Sequence, residues 1–370
     1  MILIILSIFF LFILIGYYQI FSKVGKKAII PPTEGKITPI SLIICAKNEF
    51  HNLQEHFEAW INQQHPQFEL IIVNDGSTDK TVDFLQEKAA LHPNFRFINI
   101  PLAAQKTLKG KRHALYEGIK MAKNEYLIFT DADCKPMHKE WLFTMSQHFS
   151  EKKKIVLGYS PYEKKQTLLN QLIQYETALT ALQYLGWALH GHPYMGVGRN
   201  IGYEKALLTK EVFHQSNFTQ SGDDDLVAQQ LCSKENTAVC LNRKTFVESK
   251  APKTFKNWML QKTRHFQASS FYSLKFKFLL GIFVIANIGF YISICLLIFY
   301  KLFIGFALGI LILKLLIFYL KSKKSLRNLE NRMFFAQFLY LDIIYWFYFI
   351  IIQTLCIFLR QDGWKSQENR

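Results

Sequence analysis

Hydrophobic and polar positions divide the chain into two apolar ends and a mixed middle. Residues 1–21 are almost all apolar or aromatic with no charge, and Lys23, Lys26 and Lys27 follow at once. About 20 residues at roughly 1.5 Å each cross a hydrocarbon core, so residues 1–22 predict a transmembrane helix. A cleaved leader would carry its basic residues ahead of the apolar run, whereas here they come after it. A second apolar region spans 278–300, pauses at Lys301 and resumes over 302–320. A basic stretch follows (Lys321, Lys323, Lys324, Arg327, Arg332), and then a third run over 334–359. None of these runs keeps the polar face of a globular helix. Residues 278–359 therefore predict about three further spans, of which 278–320 could also form a re-entrant hairpin. The two basic clusters place residue 23 onward and the 321–332 loop on the cytosolic side, with the N-terminus outside. The expected location is the cell (inner, cytoplasmic) membrane, crossed several times.

Between these ends, the pattern switches to short apolar runs alternating with helical stretches. Residues 40–45, 68–73 and 125–130 read as buried strands, and 53–63, 81–89 and 114–122 as helices. That alternation predicts an α/β domain with a parallel sheet, over 36–250. Pro31, Pro32, Gly35 and Pro39 mark the linker into it. Residues 251–276 carry Phe255, Trp258, Met259 and Phe266 among basic residues and read as an interfacial amphipathic segment leading to the membrane.

Composition narrows the classes. Half of the residues are hydrophobic and 15% aromatic, which excludes a disordered chain and argues against a wholly soluble one. Lys and Arg number 44 against 28 acidic residues, a formal charge of +16. Such a charge suits an anionic partner: nucleic acid, a phosphate-bearing substrate or an acidic membrane surface. No nucleic-acid module is recognisable, so nucleic acid is not expected. The six cysteines show neither CxxC spacing nor finger-like spacing to histidines, and read as reduced residues without metal or partner.

Candidate chemistry gathers where strands end. In parallel sheets, ligands bind at the carboxyl ends of strands. The first strand runs into Ala46-Lys47-Asn48-Glu49, and the second into Asn74-Asp75-Gly76-Ser77-Thr78-Asp79. A turn and helix cap explain Ser77 to Asp79, but not Asp75. The third strand ends in Asp131-Ala132-Asp133, two carboxylates that need a cation or donors if both are to stay ionised. A hard divalent ion on a nucleoside diphosphate fits, since Mg²⁺ takes few protein ligands and keeps its waters. Lys111, just before a helix start, reads as a solvated loop residue or as a contact to a diphosphate. Gly196-Val197-Gly198-Arg199-Asn200 permits close backbone approach to a ligand, or forms an ordinary tight turn. Ser221-Gly222-Asp223-Asp224-Asp225 opens a helix. One acid suffices as a cap, so the excess points to a general base. In Gln261-Lys262-Thr263-Arg264-His265, Arg264 offers a bidentate grip on a diphosphate, while the lysines could simply snorkel.

In this order, between one N-terminal and several C-terminal spans, these motifs resemble the membrane-bound family 2 glycosyltransferases, which include cellulose, chitin and hyaluronan synthases and ceramide glucosyltransferase. The resemblance covers about 230 residues. It implies a GT-A fold, a Rossmann-like nucleotide-diphospho-sugar transferase domain, in the cytosol. It also implies inverting transfer of a sugar from a nucleotide-sugar donor, a UDP-sugar first of all, with Mg²⁺ or Mn²⁺ as cofactor. Asp75 would hold uracil or ribose with help from Ala46, Asn48 and Glu49. Asp131, Lys111, Gln261 and Arg264 would contact the nucleotide sugar, and Asp133 would ligate the metal. A GDD match places the base at Asp224, and spacing back from Leu226 places it at Asp223; Asp224 is preferred. Gly198, Asn200 and His265 are assigned to the acceptor, with His265 standing where the family's QxxRW motif has Trp. That departure and the few C-terminal spans favour a lipid-linked or membrane-soluble acceptor, in envelope glycolipid or polysaccharide synthesis, over processive polymer synthesis. Membrane lipids and partner membrane subunits are the remaining expected partners. A non-catalytic nucleotide-sugar-binding subunit is the further alternative.

Overall fold

The computed structural model describes residues 1–26, 37–215 and 223–358, apart from the side chains of 223, 265–268 and 356–358. The linker prolines 31 and 32 and Gly35 lie outside these residues. In chain order the elements are α1 (Ile2–Lys26), β1 (Ile40–Ala46), α2 (Phe50–Ile61), β2 (Phe68–Asp75), α3 (Thr81–Leu91), β3 (Phe95–Ile100), α4 (Arg112–Met121), β4 (Tyr126–Asp131) and β5 (Cys134–Pro136). Then come α5 (Trp141–Ser146), β6 (Ile155–Leu157), α6 (Leu168–Leu189), β7 (Ile201–Glu204), α7 (Lys210–Gln215), α8 (Asp223–Leu231), β8 (Thr237–Val239), β9 (Val247–Ser249) and α9 (Phe255–Ser269). Three long helices close the chain: α10 (Leu274–Phe299), α11 (Ile304–Asn328) and α12 (Phe335–Phe358).

Seven strands form one sheet in the order β3-β2-β1-β4-β7-β6-β8. Strands β1 to β4 are parallel, β7 runs antiparallel to both β4 and β6, and β5 pairs with β9 in a separate two-stranded ladder. Side chains alternate across the sheet. Ile40, Leu42, Ile44, Leu70 and Ile72 face Leu53, Phe57 and Trp60 of α2 and Phe84 and Leu85 of α3. Ile43, Cys45, Ile71 and Val73 face Ala114, Leu115 and Ile119 of α4. Full burial of such side chains contributes about 1.5–3 kcal/mol each, which is why strands reading as unbroken apolar runs sit at the centre, covered on both faces. The core on the α4 side continues without a break through α6 into the apolar helices.

Among the described residues, four helices are long and apolar enough to cross a membrane: α1, α10, α11 and Phe335–Leu355 of α12. Ser325 Oγ donates to the Phe21 carbonyl at 2.9 Å, and Asn328 Nδ2 to that of Val24 at 3.1 Å. The C-terminal ends of α1 and α11 therefore lie side by side, so Lys23 and Lys26 and the basic residues over 321–327 gather at one end of the bundle. Tyr17 of α1 donates to the Leu279 carbonyl of α10 at 2.5 Å. The sheet domain thus leaves and rejoins the bundle at this same end.

Candidate active site

The carboxyl ends of β1, β2 and β4 adjoin because the register pairs Ala46 with Asn74 and Cys45 with Asp131. Asp75 closes β2, fully buried, and the Lys106 ammonium stands 2.6 Å from its Oδ1. Neither of its oxygens receives a hydrogen bond in acceptable geometry, so this ion pair leaves acceptor capacity unused inside the protein. Lys111 pairs with Asp131 at the end of β4. Both lysines come from the connection between β3 and α4, which folds back over the strand ends.

Asn48 and Glu49 lie beside these carboxylates and tie loops together. Asn48, in the left-handed region at φ 54°, accepts from Thr78 N at 2.8 Å, and its own N–H donates to Ser77 Oγ at 2.8 Å. Asp79 accepts from Phe50 N and Thr81 N, a helix cap as expected. Gly76 takes φ 70°, the conformation that the turn after Asp75 needs and that glycine adopts without strain.

Asp131 and Asp133 lie together with Cys134, their potential ligand atoms all within 4.8 Å of one another. Burial, with Asp133 and Asp131 nearby, pushes the Cys134 thiol well above its ordinary value. It therefore stays protonated, and it donates to Asp133 Oδ1 at 3.3 Å. The ligands left are carboxylate oxygens, Asp133 exposed and Asp131 half-buried, a donor set that suits a hard divalent cation keeping most of its waters.

Arg199 stands behind this pair. Its guanidinium lies over the Tyr162 ring, 4.5 Å from the centroid, donates to Ser249 Oγ at 2.5 Å, and its charge acts on both Asp131 and Asp133. Thr130 Oγ1 donates to the Arg199 carbonyl at 2.8 Å, locking the turn to β4. The neighbouring Gly198 donates its N–H to Asp224 Oδ2 at 3.0 Å. A Cβ at Gly198 would come 2.0 Å from that oxygen. One turn of two residues thus joins the metal-type carboxylates to Asp224.

The acids opening α8 separate by partner. Asp225 accepts from Tyr272 Oη at 2.7 Å and is spent on packing, whereas Asp224 turns to Gly198. The Asp223 side chain lies outside the described residues, as does that of His265.

One expectation changes. Asn200 is fully buried, donates to the carbonyls of Tyr159 and Thr245, and accepts from Trp141 Nε1. It braces the sheet and offers nothing to an acceptor. The 251–276 segment reads as interfacial and amphipathic, with snorkelling as the alternative account of its lysines. In the structure, α9 packs on α12, Trp258 stacking on Tyr348 at 4.1 Å, and Lys262 reaches inward to the buried Glu176 at 2.9 Å. Burial raises Glu176 above its ordinary value despite that lysine. Gln261 Nε2 donates to Tyr162 Oη at 3.0 Å, so α9 reaches the site through the ring under Arg199. Arg264 follows one turn later, half-buried. Sequence reasoning did not assign Lys106, Tyr162 or Arg199 to the site. Arg199 had a local signal in its glycine turn; Tyr162 had none.

The model of the family described as "Glycosyl transferase family 2" matches residues 41–205. The poly-beta-1,6-N-acetyl-D-glucosamine synthase of Staphylococcus epidermidis is 28% identical over 183 residues, 48% of this chain and 43% of that protein. A 4,4'-diaponeurosporenoate glycosyltransferase of Staphylococcus aureus is 30% identical over 124 residues, 33% of this chain and 32% of that one. The match therefore spans less than half the length of these relatives. A mannosyltransferase from Pyrobaculum calidifontis, solved in complex with GDP-Man and Mn²⁺, superposes with a TM-score of 0.58 at 15% identity, over 97% of this chain and 100% of that one. That likeness shows a shared fold. The chain therefore carries a glycosyl transferase family 2 domain, built on a GT-A sheet between apolar helices at both ends.

Proposed function

We propose that the protein is a membrane-bound inverting glycosyltransferase that moves a sugar from a nucleoside-diphosphate donor, a UDP-sugar first of all, to a lipid-linked or membrane-soluble acceptor on the cytosolic side. The observation that carries this reading is Asp75. Its buried carboxylate, paired with Lys106 but receiving no hydrogen bond in good geometry at either oxygen, ends β2, one strand away from the β4 end that leads into Asp131 and Asp133. An unused buried acceptor is costly, and a nucleoside N–H or ribose hydroxyl would satisfy it.

In this mechanism Asp75 orients the nucleoside, and Lys106 and Lys111 already supply positive charge where the diphosphate would lie. Asp131 and Asp133 would hold Mg²⁺ or Mn²⁺, which would neutralise charge at the diphosphate. Asp224, held by the Gly198 N–H, takes the proton of the acceptor hydroxyl. The hydroxyl oxygen forms a bond to the anomeric carbon as the bond from that carbon to the diphosphate oxygen breaks. The nucleoside diphosphate leaves with the electron pair, and the configuration inverts. Arg199 and Arg264 stabilise the negative charge left on it.

The test is transfer of label from a panel of nucleotide sugars in membranes containing the protein, with and without EDTA, followed by separation of organic-soluble from polymeric product. The expected result is EDTA-sensitive label in the organic phase, reduced at least about 100-fold by Asp224→Asn and lost with Asp133→Ala, while both variants still insert. Transfer from no donor would overturn the proposal. Label in polymer would select processive synthesis, the reading favoured by the name of the staphylococcal synthase relative.

A further inference from the structure

A cavity of about 420 Å³, lined by none of the residues assigned to sugar transfer, lies where the sheet domain meets the connection between α11 and α12. Its polar wall carries four cations: Lys164, Lys165 and Arg243 from the sheet domain, and Arg332 from the connection. Glu330 is the sole carboxylate among the lining residues. It sits in the left-handed region at φ 55°, where its carboxylate meets Arg243 at 3.4 Å and its carbonyl accepts from Lys164. Arg243 also donates to the Arg327 carbonyl at 3.1 Å, and Lys165 stands 3.3 Å from Glu163. Glu330 and Glu163 meet Arg243 and Lys165, and Lys164 and Arg332 leave the cavity with a positive excess. An anion is the partner that such an excess lacks.

Position decides which anion. Asn328 ends α11 and Phe335 begins α12, so the connection lies at one end of two apolar spans, the end where basic residues of α1 and α11 gather. That is the depth of lipid headgroups. The far wall turns apolar at Leu341 of α12. Gln337, Leu341 and Ile344 follow one stripe of that helix, and the stripe leads from the cavity to Ile344 on the exposed apolar surface, while Phe334, next in the chain to the lining residue Met333, is 79% exposed. A soluble phosphate would need no such path; an acyl chain would.

We propose that this cavity binds the phosphate headgroup of an anionic membrane lipid, with its acyl chain along α12, and so ties the sheet domain to the bilayer. The binding is separate from sugar transfer and holds whichever acceptor the enzyme uses.

The experiment is native mass spectrometry of the full chain in detergent, titrated separately with phosphatidylglycerol, phosphatidylcholine and the acyl-free probe glycerol phosphate. Phosphatidylglycerol should bind more tightly than either of the others. The Lys165→Ala/Arg332→Ala double variant removes two solvent-facing cations outside the transfer machinery. It should weaken phosphatidylglycerol binding by about fivefold per cation, with its thermal transition unchanged. Arg243→Ala, which also frees Glu330, should weaken it further. Equal phosphatidylglycerol affinity in wild type and double variant would overturn the proposal. So would equal affinity for phosphatidylcholine, or glycerol phosphate binding as tightly as the lipid.

Discussion

Gly198 and Asp224 fit so closely that one added carbon would drive them apart. With a Cβ placed 2.0 Å from a carboxylate oxygen, Gly198→Ala must move either the turn or the proposed base. Transfer should fall by at least about 100-fold, while the circular dichroism spectrum and thermal transition stay near wild type. An alanine variant with wild-type turnover would remove Asp224 from the base role. The sequence left Gly-Val-Gly-Arg-Asn between a plain turn and a ligand contact, and it left three adjacent acids as possible caps. Neither ambiguity could close locally, since the deciding contacts link residues 198 and 224, and 225 and 272. The same holds for the chain from Gln261 through Tyr162 to Arg199, which draws on three distant segments.

Among elements, the central strands were legible because burial on both faces demands an unbroken apolar run. The strand β3, at the sheet edge, was not. It reads Phe-Arg-Phe-Ile-Asn-Ile, and only Phe95 and Ile100 are buried, so its pattern lacks a solvent-free signature. The helix α6 also gave no sign. Its buried residues include Asn170, Gln174 and Glu176 on a long stretch without a clear polar face, because the sheet domain, α1 and α12 surround it. At this scale the helix α2 makes a prediction. Burial holds the imidazoles of His56 in α2 and His65 just after it below their ordinary value of 6.5. The unfolded chain therefore takes up protons first as pH falls, so stability from α2 packing is full above about pH 6.5 and declines below it. The thermal midpoint of the detergent-solubilised protein should drop between pH 7 and pH 5. In a His56→Gln variant the drop should shrink; an identical pH profile would show that this histidine does not drive it.

The whole molecule is held by contacts between helices that the sequence places far apart. Lys314 of α11 and Asp342 of α12 form a fully buried ion pair, and Tyr291 of α10 and Tyr175 of α6 also donate to Asp342. Four helices thus converge on one carboxylate inside the apolar bundle. Removing one partner strands a buried charge, so Lys314→Met should destabilise the protein by about 3–5 kcal/mol. Adding Asp342→Leu to it should recover most of that loss. Thermal unfolding in detergent measures both, and a double variant as unstable as the single one would show that the pair matters for packing volume rather than charge.

The sequence by itself determined the apolar spans, the alternating strands and helices between them, and the order of acidic and glycine motifs along the chain. Each of these follows from local period and residue type, which short segments carry by themselves. Only the tertiary structure decided which carboxylates meet. It paired Lys106 with Asp75, brought Arg199 to Asp131 and Asp133, gave Asp225 to Tyr272, and sent Asn200 into the core. Those outcomes depend on strand register and on packing between segments tens to hundreds of residues apart, and no local pattern encodes a contact whose other half lies elsewhere in the chain.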